Sequence, residues 1–143
     1  MIRFYPIDAG IAFDCAKSDL LSFNWREMTA DFLVPDNGKQ LLRVSFQSDA
    51  IVRILDEFPL STESDPATWQ GHVPHHFAYR VEGAAFESQQ SSTWLEVAGP
   101  VNHFQFLTAN GCLDVLASSA PQFSIVTLPL PIPSMEVELL KPA

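Results

Sequence analysis

Residues 103–118, HFQFLTANGCLDVLAS, are two apolar-rich runs joined by Asn110-Gly111. That dipeptide is a strong short-range signal for a two-residue hairpin, because a type I′ turn needs positive φ at both central positions. Asn tolerates that region and Gly enters it without steric cost. A turn centred there sets Ala109 opposite Cys112, Phe106 opposite Val115 and Phe104 opposite Ala117. One face of the ribbon is then apolar, carrying Phe104, Phe106, Leu113 and Val115. Asp114, opposite Leu107 in this register, is expected to face solvent or a backbone donor; the alternative is a buried carboxyl with a raised pKa at a site.

Proline is nearly excluded from sheet interiors. The eleven prolines leave three long free windows at 36–58, 75–99 and 101–120, where the sheet is expected. In the first, Asp36-Asn37-Gly38-Lys39 reads as a turn after Phe32-Leu33-Val34. Leu42, Val44 and Phe46 alternate with Arg43, Ser45 and Gln47, the period of a half-buried strand. Residues 50–58 fit either a strand or a helix capped by Asp49, since Ile51, Ile54, Leu55 and Phe58 also have helical spacing. Their β-branched content favours the strand. Phe77, Tyr79 and Val81 mark another strand, ended by Gly83. One short helix fits 84–92, a brief strand fits Trp94–Val97, and Phe123–Leu128 is a last long strand. Pro129, Pro131 and Pro133 then impose extended backbone.

This pattern predicts one β-rich domain over 1–143, an antiparallel β-sandwich or flattened barrel with at most one or two short helices, and 129–143 as a proline-rich extended C-terminal segment. An α+β arrangement with one helix on an antiparallel sheet is the alternative.

Composition limits function. The chain has 143 residues, 47% apolar and only 17% charged, enough for a core without disulfides or metal. Seventeen acidic residues against eight scattered basic ones give a formal charge of −9. Neither nucleic acid nor an anionic membrane suits that balance; a basic protein surface does. The first residues lack a basic region followed by an apolar stretch of signal-peptide length, and no run approaches the ~20 apolar residues of a membrane span. Cys15 and Cys112 read as buried reduced thiols, which points to the cytoplasm.

No nucleophile elbow, activated cysteine signature or glycine-rich phosphate loop is present. The densest set of reactive side chains is His72-Val73-Pro74-His75-His76. Imidazoles suit zinc and related metals, but neighbours on a strand point to opposite faces. A metal site would need His72, His75 and His76 to recruit His103, Asp56 or Asp114. No cofactor is expected. The long aperiodic loop 61–74 is the more pointed candidate. It holds Trp69, with Glu63 and Asp65 nearby, and Trp is enriched at interface hot spots. The competing role for Trp69 is a plug over one end of the sandwich. Trp25 reads as a core or rim residue, and Asp56-Glu57 as a solvated strand end or partners of Arg53 or Arg80.

These features favour a non-enzymatic acidic cytosolic domain that binds another protein. The alternative is a small-molecule or metal site in a barrel mouth, using the histidines. A third reading, an oligomeric structural component, rests on exposed edge strands.

Overall fold

In a computed structural model, which describes residues 1–47, 50–56 and 65–128, the chain forms two β-sheets and two short helices. It is 45% strand and 14% helix, and the sheets do not close into a barrel. The strands are β1 (Ile2–Pro6), β2 (Leu20–Asn24), β3 (Thr29–Leu33), β4 (Gln40–Ser45), β5 (Ile51–Asp56), β6 (Trp69–Gln70), β7 (Ala78–Glu82), β8 (Asn102–Leu107), β9 (Gly111–Ala117) and β10 (Gln122–Thr127). The helices are α1 (Ala85–Ser88) and α2 (Ser92–Ala98). One sheet has the order β5-β9-β8-β7-β1-β6, the other β10-β4-β3-β2.

The core between the sheets follows the alternation. Phe104 and Phe106 of β8 and Leu113 and Val115 of β9 meet Ala30 and Phe32 of β3 and Leu42 and Val44 of β4. Phe32, Phe77 and Phe106 form a mutual aromatic cluster with centroids 4.7–5.9 Å apart. Each of these buried rings contributes roughly 1.5–3 kcal/mol through removal of apolar surface from water.

The opening hairpin forms, but its register differs by two residues from the one expected. Leu107 pairs with Cys112, Phe106 with Leu113 and Phe104 with Val115. The turn is centred on Ala109-Asn110, and neither Asn110 nor Gly111 takes positive φ, so it is not type I′. Tertiary bonds decide this. The Gly111 amide donates to Thr108 Oγ1 (3.1 Å), Asn110 Nδ2 donates to Asp19 Oδ2 (3.0 Å), and the Ala109 amide donates to the Ser18 carbonyl (3.0 Å). A shift of two leaves every side chain on its expected face, because strand parity is two.

Residues 51–56 are a strand, paired antiparallel with β9. Trp94–Val97, expected as a strand, is helical. Ser91 Oγ accepts from the Trp94 amide (3.1 Å) and Gly99 closes α2 at φ 76°, a start and a stop that outweigh strand propensity over so few residues. Strands β1, β2, β3 and β6 lie outside the expected proline-free windows. The Pro129–Ala143 segment and Glu63 lie outside the described residues.

Within the described part of the 61–74 loop, β6 adds to β1 in parallel as a two-residue edge, pairing Ile2 with Trp69 and Arg3 with Gln70. Gly71 follows at φ 81°, where a Cβ would lie 2.2 Å from the Phe4 carbonyl oxygen. Only glycine permits that approach.

Candidate functional site

The six-stranded sheet is covered on both faces at its centre, so β8 and β9 are buried almost throughout. The face turned away from the sandwich carries Phe4, Tyr79 and Val81 toward one edge. Toward the other it carries His103, Gln105, Cys112, Asp114 and Arg53, by register: Gln105 and Arg53 flank Asp114 on the neighbouring strands. Asp114 is fully buried, contrary to the expected solvent-facing position. Its Oδ1 accepts from His103 Nε2 (2.6 Å) and Gln105 Nε2 (3.0 Å). Its Oδ2 accepts from Arg53 Nη2 (2.8 Å), Arg53 Nε (3.2 Å) and the Cys112 thiol (3.7 Å).

Burial alone pushes the Asp114 carboxyl up, but the His103 and Arg53 hydrogen bonds and charges outweigh it and hold the carboxyl below its usual value. The sign is thus opposite to the raised value considered for a buried Asp114. An ionised Asp114 requires that His103 Nε2 be the donor, which leaves Nδ1 as the ring's other polar atom. That Nδ1 is buried and has no hydrogen-bond partner among the described residues. Phe86 of α1 closes the cluster, with the Arg53 guanidinium 4.4 Å from its ring centroid and the His103 ring 5.3 Å away, edge-on.

The histidines expected as a cluster separate. His72 stacks on Tyr79 (5.3 Å) and contacts Trp69 and Phe4. Burial and then the charge of His76 hold its pKa below the ordinary value. His76 Nε2 donates to the Ile7 carbonyl (3.0 Å) and its ring meets Tyr79 edge-on. His75, at φ 67°, turns instead to Asp14 Oδ1 (3.0 Å). Among the described residues no group of three or more His, Cys, Asp or Glu side chains is placed to hold a metal ion. Asp56 ends β5 opposite Gly111. Asp65 Oδ1 accepts from the Ala67 amide (2.9 Å) and starts a single 3-10 turn. Trp69 is half-buried, 5.1 Å from Phe4, and closes the second apolar cluster. Beside His76 a cleft of about 330 Å³ is lined by Ile7, Ala9, Ile11, Phe13 and Phe77.

Trp25 occupies the tip of the β2–β3 hairpin and is 64% exposed. The tip is held in shape. Asn24 Oδ1 accepts from the Glu27 amide (3.1 Å), the Met28 carbonyl accepts from the Phe46 amide (3.0 Å), and Met28 sits at φ 54°. Positive φ is strained for an unbranched non-glycine residue and persists only where the surroundings impose it. Trp25, Arg26, Met28 and Ala50 line a shallow groove of about 260 Å³.

Arg53, Gln105, Cys112 and Phe86 were not among the candidates from sequence. A signal existed: 103 and 105, like 112 and 114, share the face opposite Phe104, Phe106, Leu113 and Val115. Trp25 shows no periodicity that separates a rim position from a displayed one. Comparison with protein-family models, curated proteins and solved structures finds no match to this chain.

Proposed function

We propose that the protein is an acidic binding module that engages a basic protein surface, with Trp25 as its anchor. The observation that carries this reading is the display of a large aromatic ring at 64% exposure on an ordered turn. Trp supplies much contact area at low entropic cost and is over-represented among interface hot spots. A preformed turn reduces the ordering cost of association. The formal charge of −9 favours a cationic partner and speeds its encounter. Cys15 and Cys112 are not joined in a disulfide, in keeping with a cytoplasmic setting.

Side-by-side capture on immobilised wild-type and Trp25→Ala protein tests this. A basic protein retained only by wild type, released by raised salt and bound about 30-fold more weakly by the purified variant, about 2 kcal/mol, supports the reading. Equal retention by both chains overturns it.

The small-molecule reading has the His76 cleft in its favour, since about 330 Å³ lies at the lower end of ligand-site volumes. An apolar fluorescent dye that binds wild type and is blocked by Ala12→Trp at the mouth would support it; binding unaffected by that change would reject it.

A further inference from the structure

We infer that the space beneath α1 is a binding slot for a small aromatic molecule bearing a hydroxyl group, and that Phe86 is its built-in occupant. Three observations converge. The Phe86 ring lies between the Arg53 guanidinium at 4.4 Å and the His103 imidazole at 5.3 Å, a cradle suited to any aromatic ring. Within the same cradle His103 Nδ1 is buried without a partner among the described residues, whereas Asp114 accepts from four side chains. A buried polar atom left unanswered is rare and calls for an explanation. Phenylalanine fills the aromatic part of the slot but has no hydroxyl to offer; a phenol-like ligand supplies both, and its hydroxyl can answer Nδ1 as donor or as acceptor.

The third observation concerns access. β7 and β8 are hydrogen-bonded neighbours, yet residues 83–101 connect them through α1 and α2, whereas antiparallel neighbours usually need only two to five residues. Of the two helices, only α1 has a buried residue, and that residue is Phe86. Val97 of α2 is 83% exposed. Phe86 is therefore the one large side chain that this connection buries fully, and swinging it out admits the ligand.

Phenol and benzene are the probes, titrated into the full-length wild type and Phe86→Ala, with binding read by the ¹⁵N resonance of His103 Nδ1 and by the thermal midpoint. In Phe86→Ala, phenol is expected to bind roughly three- to tenfold more tightly than benzene, the ratio for one net hydrogen bond, and to move the Nδ1 resonance. Equal binding of the two probes, or binding without movement of Nδ1, would mean a mere apolar cavity and overturns the assignment. Should Phe86→Ala fail to fold, the wild type decides. Excess phenol should displace Phe86, accelerating amide exchange over 84–100 while shifting Nδ1, and the absence of either effect rejects the slot.

Discussion

The two faces of the β8–β9 ribbon are equally buried and are held by different physics. Toward the sandwich, Phe104, Phe106, Leu113 and Val115 fill volume against the opposite sheet. Toward α1, Asp114 accepts from His103, Gln105 and Arg53 together. An apolar face loses stability in proportion to what is removed, whereas a charged one fails when a single partner is missing. The ribbon thus teaches that burial and polarity are separate properties of a sheet face.

The largest expected effects come from breaking each face once. Phe106→Ala should cost about 3–5 kcal/mol in urea unfolding. Asp114→Ala should cost a similar ~3–5 kcal/mol, because it leaves the half-buried Arg53 guanidinium and the buried His103 Nε2 without their acceptor. The faces then part company when repaired. Replacing the whole network together, with Arg53→Met, His103→Leu, Gln105→Leu and Asp114→Leu, should return the protein to within about 1.5 kcal/mol of wild type. A quadruple variant no more stable than Asp114→Ala would show that the network shapes the fold beyond its own charges.

Acid titration sharpens the same contrast. The folded Asp114 carboxyl is held below its ordinary value, so the unfolded chain takes up that proton first as pH falls. Its stabilisation is complete above the unfolded aspartate value of about 3.9 and is lost as pH drops from there through the folded value. Asp114→Asn should therefore show a shallower loss of unfolding free energy below about pH 4 than wild type, whereas Phe106→Leu should keep the wild-type slope. Smallest of all, Trp25→Ala should shift stability by no more than about 0.5 kcal/mol, because that ring is mostly in solvent; a larger drop would make it part of the core.

Much of the architecture is readable from residue order. Alternation at Leu42, Val44 and Phe46, and at Phe104 and Phe106, places side chains on faces without any knowledge of partners, and parity survives even the two-residue shift of the hairpin. The turn itself was not readable, because Asp19 and Ser18, distant in sequence, hold Asn110 and Ala109. Nor was the polar cluster. His103 looks like part of a solvent face until Phe86 of α1 packs on it, one Phe in a stretch of Glu, Gln, Ala and Ser. The histidine run reads as a cluster in one dimension. Its dispersal depends on Tyr79, Asp14 and Ile7, each claiming one ring.

Strand β6 has a consequence for behaviour at high concentration. A bare sheet margin recruits further chains, and length and flatness make it a better template. Here the margin next to β1 is taken by two residues and then turned away at Gly71, where the backbone comes too close to Phe4 for any side chain. A single hydrogen atom in place of a methyl group therefore keeps this margin covered: Gly71→Ala should displace β6 and bare β1, and light scattering should then show more self-association than for wild type.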